Sequence, residues 1–193
     1  MDPRLRADDG LGLPHDNLAL WHHVVMNAVD PNTSGPLADP NVRWVVRSFR
    51  ELDVDTLYAL LKLRSEVFVV EQNCVYLDPD GKDRHPDTVH LLGMAPDGSL
   101  AAYLRILPAG LSYPQVSFGR VLTAPAWRGR GLGDPMLHAA LTEIERRWPG
   151  TDVQIGAQAH LQGFYGKHGF VVSSEPYVED GITHVDMLRS APR

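Results

Sequence analysis

The stretch Trp127-Arg128-Gly129-Arg130-Gly131-Leu132-Gly133 decides how this chain is read. A short apolar segment, Gly119-Arg120-Val121-Leu122-Thr123-Ala124, precedes it, and a helix-like run from near Asp134 to about Arg147 follows. Strand, glycine loop and helix start, in that order, build an anion site from backbone alone. Glycine lets consecutive N–H groups turn inward with no Cβ in the way. The helix start adds unpaired donors and the positive end of its dipole. Arg128 and Arg130 add charge, so a pyrophosphate suits the loop.

The spacing separates this loop from two commoner phosphate sites. A dinucleotide fold needs G-x-G-x-x-G with an acidic residue about 20 residues on, and an ATP loop needs G-x-x-x-x-G-K-[ST]. Here the glycines stand at 129, 131 and 133, and Asp134-Pro135 follow where a Lys is required. What remains is R-x-x-G-x-G at Arg128, Gly131 and Gly133. This resembles the pyrophosphate loop of the GNAT superfamily of acyl-CoA N-acyltransferases.

A second motif lies downstream. Ala157-Gln158-Ala159-His160-Leu161-Gln162-Gly163-Phe164-Tyr165-Gly166-Lys167-His168-Gly169-Phe170 reads as a strand end, a short helix and a glycine stop. Leu161, Phe164 and Tyr165 share one face, and Gly169 suits the position just past a helix. It is similar to the GNAT pattern in which a Tyr ahead of Gly-Phe protonates the leaving thiolate, which here is Tyr165. A third match runs from Leu63-Arg64 through Val67-Phe68-Val69-Val70-Glu71-Gln72-Asn73-Cys74 to Tyr76, Asp78, Asp80 and Gly81. It resembles the ElaA-type branch of that superfamily. Arg105-Ile106-Leu107, Gly119-Arg120-Val121, Gly156 to Gln162 and Glu179-Asp180-Gly181-Ile182 match the same branch, in order, over roughly residues 44 to 190.

The bulk composition is compatible with this. The chain has 193 residues, 44% apolar and 22% charged, enough for one domain with a sizeable core. A net charge of −6 argues against a nucleic-acid binder, which usually shows a basic face. Cys74 is the one cysteine, so no internal disulfide forms, and it reads as a packed thiol rather than a nucleophile. No apolar run reaches membrane-span length and no signal peptide is visible, so the expected location is the cytoplasm. The histidines lack metal-ligand spacing, so no metal is expected.

Residues 1–42 read as an N-terminal arm. Turn chemistry at 31–36 and 39–41 flanks a possible helix over Leu18 to Val29, and His22-His23 reads as surface. Residues 43–193 form the domain, of α/β (α+β) class. The resemblance implies a central mixed, mostly antiparallel sheet of about seven strands, splayed at one parallel pair and flanked by helices. The pattern predicts a strand over Trp44 to Arg50 and a helix over Asp53 to Val69 with Val54, Leu57, Leu61 and Phe68 near one face. Residues 70–87 read as loop, and 88–95 and 99–107 as a hairpin about Pro96-Asp97-Gly98. Strands over 115–123 and 153–158 follow, parallel to each other, and then a last hairpin of 171–178 with 182–188.

The resemblance further implies how a site works. Acetyl-CoA lies where the parallel strands part, with pantetheine on Val121, Leu122 and Thr123. Its pyrophosphate sits on Arg128, Gly129, Arg130, Gly131, Leu132 and Gly133, beside Phe164. An amine then attacks the thioester directly in a ternary complex, with Tyr165 as acid. The family often carries a Glu on the strand before the loop; Ser117-Phe118-Gly119-Arg120-Val121 has none. Glu71 and His160 are the chosen bases, with Asp78, His90 or a water relay as alternatives. Arg64 is expected to pair with Glu71 or a nearby Asp. The Asp78-Pro79-Asp80-Gly81-Lys82-Asp83 run fails the calcium-loop spacing and reads as a solvated acidic loop able to attract a cationic amine. The acceptor is a small-molecule amine or a peptide or protein amine, and the chain a monomer or homodimer without nucleic-acid or membrane partners. Two rivals stand beside this: a non-catalytic acyl-CoA-binding sensor or scaffold, and an acyl-homoserine-lactone synthase, against which Cys74 stands where a Trp is usual.

Overall fold

The computed structural model describes residues 41–191. The proposed arm, its helix over 18–29 and His22-His23 lie outside them. Within them, the Pro96-Asp97-Gly98 turn sets the register of half the sheet. Gly98 takes φ +84° and its N–H donates to the Ala95 carbonyl, while the Ala95 N–H donates to Ser99. That closes β2 (Val89–Met94) onto β3 (Leu100–Leu107). β1 (Arg43–Arg47) pairs with β2 on its other side. β1 ends three residues earlier than the sequence pattern suggests, because Ser48 and Glu51 cap each other and turn Phe49–Glu51 into a tight helical turn.

α1 (Val54–Arg64) starts on Asp53, whose carboxylate accepts from the Thr56 N–H. The face it buries is Leu60, Leu63 and Arg64, with Val67 beyond; Val54 is 82% exposed. Of the expected stripe, Val54 fails, while Leu57, Leu61 and Phe68 are half-buried beside the face that packs. Two apolar stripes compete in this segment, and α1 passes directly into a π-helical stretch, Ser65–Glu71. Its wider turns shift the phase of every residue after Arg64.

β4 (Val116–Thr123) pairs antiparallel with β3, and α2 (Gly133–Arg147) returns the chain to β5 (Val153–Gln158), parallel to β4. α3 (Gln162–Lys167) follows, stopped by Gly169 at φ +85°. The expected last hairpin splits: β6 (Val171–Val172) and β7 (Tyr177–Glu179) both pair with β8 (Ile182–Arg189). The sheet thus has eight strands in the order β1-β2-β3-β4-β5-β8-β6, with β7 also on β8. One face packs Met136, Leu137, Ala140 and Ile144 of α2 with Tyr165 of α3. The other packs α1 through Leu60, Leu63 and Val67 onto Leu92, Tyr103 and Leu122. No helix among the described residues is long and apolar enough to cross a membrane.

The acidic run 78–83 is not a solvated loop. Asp78 and Asp83 are buried, and three arginines gather around them. Fully buried Arg64 donates Nε to Asp78 (2.8 Å) and Nη1 to Asp83 (2.7 Å). Arg105 bridges Asp83 (2.9 Å) and Asp80 (2.7 Å), and Arg120 donates Nε to Asp78 (2.7 Å). Three positive charges meet three negative ones. Arg64 therefore takes the aspartate option and not Glu71. Sequence spacing hid this because the partners arrive from α1, β3 and β4.

Two expectations follow. Arg64→Met leaves Asp78 and Asp83 short of counter-charge in the interior and should cost about 3–5 kcal/mol, read by urea unfolding. Burial alone would raise Asp80, but its bonds and charge contact with Arg105 outweigh that and hold it near 2; Asp83 is likewise held low. A carboxylate depressed on folding stabilises above its unfolded pKa. Stability should therefore fall as pH drops from about 4 towards about 2, seen in thermal melts across that range.

Candidate active site

β4 and β5 pair only at Val116–Val153 and Ser117–Gln154. Beyond Ser117 they part. β5 stays bound to β8 along its whole length, from Val153–Arg189 to Gln158–His184. β4 stays bound to β3 but carries one extra residue: the step Tyr103 to Arg105 faces the step Leu122 to Gly119. That bulge sits at Arg120, which has φ +54°. A bulge increases local twist and bends its strand, and Asp78 holds the Arg120 side chain in this conformation. The divergence leaves a cleft of ≈ 270 Å³ lined by Phe118, Gly119, Arg120 and Val121 on one side and Ile155 to Gln158 on the other.

Tyr165 lines this cleft. Its ring is fixed by Phe118, Phe164 and Phe170 at centroid distances of 6.2, 5.1 and 6.0 Å. Its hydroxyl makes no hydrogen bond among the described residues. Burial pushes its pKa well above the ordinary phenol value, so it holds its proton. The far end of the cleft is closed by Gln72, Cys74 and Tyr76 after the π-helical stretch, and by Glu179, Asp180, Ile182 and His184 of the β7–β8 hairpin. Cys74 joins the two walls, its Sγ lying 3.6 Å from the Asp180 carbonyl. It is a packed thiol, and burial raises its pKa, which works against a nucleophilic role.

The glycine loop leaves β4 through Pro125–Trp127, a tight turn, and enters α2 with no side-chain cap on the helix start. Gly129 and Gly131 take φ +73° and +70°, which L side chains rarely adopt. Arg130 stacks on Trp127 at 4.4 Å. Arg128 points elsewhere. Its guanidinium forms a two-pronged pair with Glu71 (2.6 and 2.8 Å), and its Nε reaches the Thr123 carbonyl. This clamps the loop to the end of the π-helical stretch.

Of the three chosen catalytic residues, only Tyr165 lines the cleft. Glu71 is engaged by Arg128, and neither it nor His160 belongs to the lining. The alternatives Asp78 and His90 are unsuited to proton abstraction from a substrate. Asp78 is buried between two arginines, and His90 is enclosed by Tyr103 and the Asp83 carbonyl (2.8 and 3.1 Å). His184 went unnoticed in the sequence. It faces Gln158 across the β5–β8 ladder, a pairing of residues 26 apart that no local pattern reveals.

A family model described as an acetyltransferase (GNAT) domain matches residues 83–190. The chain belongs to the GNAT acetyltransferase family. It is 45% identical to protein ElaA of Escherichia coli over 148 residues, covering 77% of this chain and 96% of that one. A crystal structure of an acyl-CoA N-acyltransferase from Pseudomonas aeruginosa superimposes with TM-score 0.73 at 47% identity, over 77% of this chain and 99% of that one. The crystal structure of E. coli ElaA gives 0.72 at 44% identity, with the same coverage. Membership implies an N-acyltransferase that uses acyl-CoA and an amine acceptor.

A bulky side chain at Gly131 meets a left-handed backbone in the glycine loop. Gly131→Trp should abolish acyl-CoA binding in titration calorimetry while the far-ultraviolet circular dichroism stays that of the wild type.

Proposed function

We propose that the chain is an acetyl-CoA-dependent N-acetyltransferase that moves an acetyl group to a primary amine by direct attack in a ternary complex. The observation that carries this reading is a strand pair that parts after Ser117 around a cleft lined by a protonated, unpartnered Tyr165. An open strand edge offers alternate donors and acceptors to an extended amide-bearing ligand. Val121, Leu122 and Thr123 provide that edge for pantetheine. The N–H groups from Arg128 to Gly133 and the start of α2 cradle the pyrophosphate, and Phe164 flanks the pantetheine. Arg128 acts through Glu71 to hold the loop, so Glu71 is a positioning residue here and not a base.

The amine lone pair attacks the thioester carbonyl carbon. As the tetrahedral intermediate collapses, the C–S bond breaks and the Tyr165 hydroxyl supplies the proton to the leaving sulfur. The amine must shed its own proton. His184 suits that task. Its Nδ1 lies 2.9 Å from the Ile182 carbonyl, which can only accept, so Nδ1 carries the hydrogen. In the neutral ring Nε2 then offers a lone pair. Glu179 and Asp180 supply negative charge to the cleft lining, which favours a cationic amine over an anionic one. His160 stands on the turn leading into α3 and takes no part.

Free-thiol release from acetyl-CoA with a panel of amines tests this. Tyr165→Phe and His184→Gln should each lower kcat by about 10-fold or more, with acetyl-CoA affinity unchanged. Wild-type turnover in Tyr165→Phe would remove that residue as the acid, whereas acetyl-CoA binding by the wild type with no thiol release for any amine would favour the non-catalytic coenzyme-binding module.

A further inference from the structure

Among the described residues Gln72, Arg105, Gln115 and Ser117 each carry a buried side-chain polar atom without a hydrogen-bond partner, and of these only Gln72 lines the cleft. Gln72 is only 7% exposed, and the atom left without a partner is its side-chain amide nitrogen. Buried amides are nearly always bonded. Gln72 lines the cleft, so a ligand atom that accepts there would supply the missing partner. The π-helical stretch puts the residue there: Phe68 and Gln72 both line the cleft, and the Gln72 N–H closes on the Val67 carbonyl in the wide-turn pattern.

A second donor lies on the same wall. Arg120 spends Nε and Nη2 on Asp78, and its Nη1 makes no hydrogen bond among the described residues. Its guanidinium is held over the rings of Tyr76 (5.3 Å) and Phe68 (6.0 Å), which fixes its aim. Because Asp78 neutralises it, Arg120 contributes a directed N–H more than net charge. Two N–H donors on one wall, with an acidic hairpin across from them, call for a ligand carrying an oxygen acceptor and an ammonium group.

We infer that the acceptor is a primary amine bearing a carbonyl or carboxylate oxygen, of amino-acid or peptide type, whose oxygen is read by Gln72 with Arg120. Plain alkyl amines and polyamines leave Gln72 unsatisfied and are the poorer substrates. The inference rests on the acetyltransferase reading and adds the substrate class to it.

The test uses the full chain, saturating acetyl-CoA and two matched pairs of amines. One is lysine against pentane-1,5-diamine, and the other is phenylalaninamide against 2-phenylethylamine. Each pair differs by the carboxylate or carboxamide, so the pairs also tell which oxygen is preferred. The oxygen-bearing member of at least one pair should have a kcat/KM about 10-fold higher or more. Gln72→Met, which keeps the volume and removes the amide, should erase that preference through KM and leave the oxygen-free partner unchanged. Gln72→Asn, with a shorter amide, should fall between. Unaltered acetyl-CoA affinity shows that the variants are folded. Equal kcat/KM within both pairs, or a preference that survives in Gln72→Met, overturns the inference alone. Failure of the wild type to bind acetyl-CoA in calorimetry overturns the acetyltransferase reading and this inference with it.

Discussion

Arg64 sits at the end of α1 with no exposure at all, and its charge must be met inside the protein. An isolated guanidinium there is prohibitively costly, so the chain that follows has to bring carboxylates to it. Asp78 and Asp83 do so, and they draw in Arg105 from β3 and Arg120 from β4. The segment between α1 and β2 would otherwise be a long exposed loop. The ion network makes it a wall. The same charges sit against His90 and Tyr103, whose hydrogen bond completes the buried polar cluster.

The network also shapes the site. Asp78 binds Arg64 from one side and Arg120 from the other, so the helix end and the β4 bulge share one carboxylate. The bulge bends β4 away from β5, and the bend opens the cleft. The π-helical stretch, which begins one residue after Arg64, turns Phe68 and Gln72 to that opening and ends in Glu71, which clamps Arg128 and thereby the glycine loop. Network, bulge, cleft and loop are thus mechanically joined. Charge within the wall is spent on structure, and Glu179 and Asp180 of the β7–β8 hairpin line the cleft.

Much of this was legible. The Pro96-Asp97-Gly98 hairpin, the strand before the glycine loop, the bounds of α2 and the Gly169 stop follow from local backbone chemistry, and all are found within a few residues of where the pattern sets them. The burial of Tyr165 was legible because a glycine stop and an apolar face flank it in sequence. The misreadings share a different character. The acidic run 78–83 carries the composition of an exposed turn, and only arginines 14 to 42 residues away make it a buried one. The α1 stripe missed Leu60 and Leu63 and wrongly included Val54, and a π turn then changed the period.

The sequence by itself determined the order of most strands and helices, the family, the glycine loop and the buried tyrosine, because short-range steric and hydrogen-bonding preferences write these locally. Tertiary structure alone decided which carboxylates are buried, that Arg128 serves Glu71, and that His184 and Gln72 face the same cleft as Tyr165. Those outcomes depend on which charges and edges meet across the sheet, and partners dozens of residues apart leave no periodic mark in the chain.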